Sequence, residues 1–240
     1  MQNIRINPQS MSYNIDIVFC IDISDSMTPI INQVKENAKQ IPEIINQECT
    51  KKGKKVKNIR LKLIQYCNMY NEEDPGRLIT GEFTENGEEF FNQVDSIKTT
   101  GGNAVYDALE NKYELYPHEF RKLANESTLD AILFACESDW YKESGKSRKV
   151  IIAMTDEPAG VIHPESLKPG EQRGVNTVIN RYLGISLSNE ARLLIIGPEC
   201  EDFTALSQAE FTQYIKSSPG NGLEEIGFYE TVIPWLVNSI

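Results

Sequence analysis

Residues 13–21, YNIDIVFCI, place apolar side chains at 15, 17, 18, 19, 20 and 21. A strand with one wet face alternates, so a run this continuous calls for burial on both faces, as in the centre of a parallel sheet. RKVIIAMTDEP (148–158) and ARLLIIGPE (191–199) repeat the signal. Between them the period changes: from Thr28, Ile30, Val34, Ala38, Ile41 and Ile45 recur at steps of three and four, one face of an amphipathic helix. Pro42 inside that pattern predicts a kink or a split, and Gly53 after the ECTKK lysines predicts a cap where cations suit the helix dipole. Residues 56–69 and 77–83, with YNEEDPG between them, predict an antiparallel hairpin at a sheet edge. Helices are further expected over 88–97, after the glycine turn in KTTGGNAVYDALENKYEL, over 127–141 as an amphipathic segment, and at the chain's end, with Pro234 in its path.

Buried strands alternating with helices give an α/β, Rossmann-like architecture: a mostly parallel central sheet, one antiparallel edge strand, and helices on both faces. Residues 1–12 hold no periodicity and are expected to be a strap or tail, with 13–240 forming one domain. The stretches 115–147 and 157–190 exceed the roughly 2–6 residues of a simple strand–helix connection and are expected to carry partner specificity.

The 35 acidic residues against 24 basic give a net charge of −11, which argues against wrapping nucleic acid or lying on an anionic membrane, and favours cations. Five scattered cysteines, with no CxxC pair and no histidine at ligand spacing, indicate neither a zinc knuckle nor a disulfide framework. Cys20 and Cys67 sit in strand-like runs as small buried hydrophobes, and a reducing compartment is expected. The N-terminal stretch lacks the apolar segment of a signal peptide, and no run reaches the roughly 18 apolar residues of a membrane span, so a cytoplasmic location is expected.

In open parallel sheets ligands bind beyond the carboxyl ends of the strands. Three polar segments fall there: Asp22-Ile-Ser24-Asp25-Ser26 after the first strand, Thr99-Thr100-Gly-Gly-Asn103 before a helix, and Thr155-Asp156 after a later strand. Oxygens collected from several loops suit Mg²⁺, a hard ion that takes oxygen ligands at about 2.0–2.1 Å and keeps some waters. Asp22, Ser24, Ser26 and Asp156 are the candidate metal residues, and Gly101-Gly102 lets the second loop approach closely.

This pattern resembles the von Willebrand factor type A domain with its metal-ion-dependent adhesion site, in element order over residues 13 to 240. The resemblance implies that the Ser24 and Ser26 hydroxyls bind Mg²⁺ (or Mn²⁺ or Ca²⁺) directly, while Asp22 and Asp156 act mostly through water and hydrogen bonds. The family commonly has a threonine in the middle loop; registering on Ala108-Leu109 puts Asn103 there, with Thr100 as the fallback. It implies a module that binds a protein partner's Asp or Glu, with Asp25 and Glu157 beside the metal to meet it, and no enzymatic activity, nucleic acid or membrane. With its unpaired thiols the chain is similar to intracellular, tellurium-resistance-like bacterial members, adaptors beside an ATPase, kinase or phosphatase in stress and defence assemblies.

Plainer readings exist for each motif. The Asp22–Ser26 string could merely cap a helix. A haloacid-dehalogenase-like phosphatase needs a second aspartate where Ser24 stands, no G-x-S-x-G elbow is present, and TTGGN lacks a P-loop lysine. His118 and His163 read as surface or loop residues. The basic run KKGKKVKNIR reads first as a solvated helix end and strand entry, and secondarily as a surface for an anionic partner. Two rivals to the binding module remain: a metal-dependent hydrolase using the same cluster, and a structural subunit with a vestigial site.

Overall fold

The computed structural model describes residues 12–71, 77–100, 123, 125–142, 147–186, 190–217 and 226–240. Among these residues six strands form one sheet: β1 (Ser12–Asp22), β2 (Lys55–Tyr66), β3 (Leu78–Thr80), β4 (Ser147–Met154), β5 (Ala191–Gly197) and β6 (Thr212–Lys216). Their order is β3-β2-β1-β4-β5-β6, parallel throughout except for β3, which runs antiparallel to β2 at one edge. The predicted α/β architecture with an antiparallel edge strand is therefore what this sequence forms.

Two apolar layers sandwich the sheet. Ile15, Ile17, Phe19 and Ile21 of β1 face one layer, and Val18 and Cys20 face the other. The first layer is covered by α1 (Thr28–Asn37), α2 (Ile41–Lys51) and α3 (Gly87–Asp95), and by a helix near the chain's end, α7 (Ile233–Ser239). The second is covered by α4 (Thr128–Cys136), α5 (Val175–Ile185) and α6 (Glu201–Leu206). Burial on both faces explains why β1, β4 and β5 read as continuous apolar runs.

Pro42 splits the first helical pattern as expected: it stands in the first turn of α2, where its missing N–H costs nothing, after a turn over 38–40. Gly53 follows α2 with φ +72°, the left-handed cap that glycine adopts without strain. Pro234 likewise falls in the first turn of α7, behind one turn of π-helix over Phe228–Val232.

Several expectations change. The strand expected over 77–83 is regular only at Leu78–Thr80, although Leu61 and Thr84 pair again beyond it. The helix expected over 127–141 ends at Cys136 and is not amphipathic: Leu129 through Leu133 are all buried, as is Asp130 among them. It packs between the sheet on one side and α5 and the turn Pro164–Ser166 on the other, so both its faces meet protein. The stretch 157–190 is not all surface loop, because it contains α5, whose Val178 and Tyr182 are fully buried. Likewise 115–147 holds α4. His163 sits in a loop but is only 6% exposed, its ring edge-on to Tyr70 at 4.8 Å. The glycine-fed helix after Thr100, Asn103 and His118 all lie outside the described residues.

Candidate metal site

The chain leaves β1 toward β2 on one side and reaches β4 on the other, so the carboxyl ends of β1 and β4 are the point where strand order reverses. Crevices in open α/β sheets form at such points. Asp22 ends β1, and Asp156 follows β4 two residues past its end.

Asp22 is completely buried, and both its oxygens are held. Oδ1 accepts the Ser24 N–H at 2.8 Å, and Oδ2 accepts the Thr155 hydroxyl at 2.8 Å. Thr155, itself fully buried, also receives the Glu157 N–H at 3.1 Å, so one hydroxyl ties the turn after β4 to the end of β1. Burial pushes the Asp22 carboxyl up to about 7; the bonds from Ser24 and Thr155 oppose this, and the Asp156 charge adds to it.

Ser24 and Ser26 turn their hydroxyls toward each other, 3.1 Å apart. Ser24 precedes a single 3-10 turn over Asp25–Met27, yet its side chain makes no capping bond, so capping does not account for the hydroxyl. Asp25 is exposed, and its carbonyl accepts the Thr28 hydroxyl at 2.7 Å. The middle segment lies alongside: Ser24 and Thr100 pair as a parallel bridge, Thr100 N–H donates to the Ile23 carbonyl at 2.9 Å, and Asp25 N–H donates to the Thr100 carbonyl at 3.2 Å. Thr100 is thus placed beside the first loop.

Asp156 is 6% exposed, and its Oδ1 is buried with no hydrogen bond among the described residues. A buried carboxylate oxygen left unpaired costs on the order of 1–3 kcal/mol or more unless something else meets it. Next to it, burial and the Asp156 charge raise the Glu157 carboxyl. The donor set is therefore hard oxygen: two carboxylates and two hydroxyls, with Thr100 alongside. No group of three or more His, Cys, Asp or Glu able to hold a metal occurs among the described residues, so any ion there depends on hydroxyls and water, which suits Mg²⁺ better than zinc.

Sequence reasoning missed what lies beneath. Tyr66, at the end of β2, is fully buried, and its hydroxyl donates to the Met154 carbonyl at 3.0 Å and lies 3.1 Å from Thr128 Oγ1. Burial, and then the Asp22 charge, raise the Tyr66 phenol, and buried Glu126 adds to this. Gly160 brings the loop after β4 against residue 125: a Cβ there would stand 2.6 Å from the Asn125 carbonyl oxygen. These contacts join segments far apart in the chain, and only the apolar flanks of Tyr66 were visible beforehand.

The sequence profile of the von Willebrand factor type A domain matches residues 16–186, more than half of the chain, and the chain belongs to that family. Domains of this family are typically modules for protein interaction or adhesion. No curated protein matches the chain. Among solved structures, the pilus adhesin SpaC from Lactobacillus rhamnosus GG in its open conformation is 11% identical with a TM-score of 0.52, over 94% of this chain and 30% of that one. Proximal thread matrix protein 1 from the mussel byssus is 12% identical with a TM-score of 0.47, over 95% of this chain and 49% of its own. The vWF domain of the type V pili tip protein Mfa5 from Porphyromonas gingivalis is 10% identical with a TM-score of 0.48, over 91% and 95%. The chain thus spans less than half of SpaC and of the byssus protein, and the SpaC likeness is one of fold.

Proposed function

We propose that this chain is a metal-dependent interaction module. Mg²⁺, or Mn²⁺ or Ca²⁺ in its place, would be held by Ser24 and Ser26, with Asp22 and Asp156 acting through water and hydrogen bonds, and Thr100 or Asn103 contributing from the middle loop. A bound dication supplies an open coordination position for one further anionic oxygen. A protein partner would fill it with an Asp or Glu, flanked by Asp25 and Glu157.

The observation that carries this reading is the unpaired, buried Oδ1 of Asp156 at the switch point, beside an Asp22 whose own oxygens are already taken. Binding is favoured over hydrolysis because a hydrolase needs a positioned base or nucleophile, for which the cluster offers only Asp25 and Glu157. A cytoplasmic stress or defence assembly, with an ATPase, kinase or phosphatase as partner, rests on the family resemblance. It agrees with four buried free cysteines, and with the lack of any helix among the described residues long and apolar enough to cross a membrane.

The test is thermal unfolding under Mg²⁺ and Mn²⁺ titration. The wild type should gain about 2.7 kcal/mol at one hundred times Kd, and Asp156→Asn and Asp22→Ala should lose that gain. An Asp22→Ala protein stabilised as much as the wild type sinks the assignment. No metal effect in the wild type would make the site vestigial, and metal-dependent turnover in a generic phosphatase screen would make it a hydrolase.

A further inference from the structure

The basic run of the sequence comes to lie at the opposite pole of the sheet from the metal edge. Lys52 and Lys54 stand between α2 and β2, Arg148 at the start of β4, and Arg192 at the start of β5. The last residues of α7 gather three of them: Lys52 Nζ donates to Asn238 Oδ1, Lys54 Nζ to the Val237 carbonyl at 2.7 Å, and Arg192 Nε to the Ser239 carbonyl at 3.1 Å. Burial first, and then the charges of Lys52, Arg148 and Arg192, hold the Lys54 ammonium below its usual pKa, which places Arg148 in the same group. Both guanidiniums lie over rings, Arg148 at 4.7 Å from the Tyr13 centroid and Arg192 at 4.1 Å from Phe211. Part of each guanidinium is already engaged: Arg192 Nη1 donates to the Ala191 carbonyl at 2.7 Å and Arg148 Nη1 to the Ser147 carbonyl at 3.1 Å.

Lys39, Arg60, Arg77, Arg181 and Lys216 of this acidic chain each meet a carboxylate. Lys52, Lys54 and Arg148 form no ion pair among the described residues, and Arg148 Nε is buried with no hydrogen bond. Capping of α7 does not use up this charge, since a helix carboxyl end carries only about half a negative charge.

We propose that this pole is a second binding surface, taking a short acidic peptide segment of a partner protein against Lys52, Lys54 and Arg148. Cations spread over several elements suit a row of carboxylates. A nucleic acid needs a longer track of neutralised phosphates and meets the net charge of −11 along it.

Binding of a fluorescein-labelled octaglutamate peptide to the full chain, followed by anisotropy at roughly 50 mM salt, tests this. The peptide should bind with and without EDTA, which separates this surface from the metal site. Lys54→Gln/Arg148→Gln should weaken binding at least about tenfold and the exposed Lys52→Gln roughly threefold, while Lys39→Gln/Lys216→Gln, with the same loss of charge, should not change it. Should the double variant fail to fold, Lys52→Gln alone decides. Absence of binding, equal weakening in the Lys39/Lys216 control, or a single-stranded oligonucleotide binding more tightly than the peptide would each overturn the proposal.

Discussion

Thr155 is the residue on which the geometry of the candidate site turns, because its one hydroxyl donates to Asp22 and receives the Glu157 N–H. Replacing it by the isosteric valine leaves both groups buried without a partner, so Thr155→Val should cost about 1–3 kcal/mol of stability. It should also raise, several-fold, the Mg²⁺ concentration that half-stabilises the protein. Thr155→Ser, which keeps the hydroxyl, should restore both, and failure of that rescue would mean packing rather than hydrogen bonding matters there. A second buried acid gives a pH signature. Asp130, in α4, accepts the His163 N–H at 2.9 Å, yet burial raises its carboxyl from 3.8 to about 6, against the lowering influence of the nearby Ser166 hydroxyl, the His163 N–H and Ser127. The folded state then holds the proton more tightly than the unfolded state, so this residue's contribution is present in full below about pH 4 and is lost as pH rises through about 6. The loss is on the order of 3 kcal/mol. Denaturant titrations from pH 4 to 7.5 should show that slope in the wild type relative to Asp130→Asn; a flat difference removes the argument. At this scale the sequence was legible only where a motif is contiguous. Asp22, Ser24 and Ser26 announce themselves, but Thr155 meets Asp22 across 133 residues, and Arg60 clasps buried Asp16 across 44, with both bonds at 2.7 Å. An aspartate inside the most apolar strand offers no sign of its partner.

Elements were legible in proportion to how one-sided their burial is. β1, β4 and β5 stood out because burial on both faces makes them continuous, and α1 and α2 because only one face is apolar. α4 departs from its expected pattern for the converse reason: a helix buried all round has no polar face to set its period. α5 was missed, although Val175, Val178, Ile179 and Tyr182 stand at helical spacing, since the run follows a loop rich in glycine and charge. β6 is a five-residue edge strand with no buried residue to mark it. The consequence is testable. If 115–147 and 157–190 were partner loops only, truncations inside them would leave stability alone. Leu133→Ala in α4 should instead cost about 2–5 kcal/mol, and Tyr182→Ala in α5 about 3–5, each measured as a shift in denaturant midpoint at unchanged m-value. The Tyr182 hydroxyl donates toward the carbonyls of Glu210 and Phe211, so Tyr182→Phe should cost less, about 0.5–1.5 kcal/mol. On the proposed reading, partner specificity would then fall to the exposed turns between these helices.

At the scale of the whole molecule, the sheet decides whether residues 13 to 240 behave as one unit. Its two apolar layers share strands, because every second residue of β1 belongs to each, so neither layer can open without exposing the other's backing. The two tryptophans of the chain report on them separately. Trp140 lies in the second layer, with its ring 5.5 Å from that of Phe83, and Trp235 of α7 packs on the first. The single-tryptophan proteins Trp140→Phe and Trp235→Phe should therefore give fluorescence transitions that coincide, in guanidinium, with each other and with the loss of helical circular dichroism, after allowance for any common shift in midpoint. Metal should move both transitions together, because Asp22 ends β1, the strand both layers share. If Trp235 reports an earlier transition than Trp140 and Mg²⁺ shifts only one of them, the helices of the first layer unfold apart from the sheet. The chain would then be two cooperative units rather than one domain.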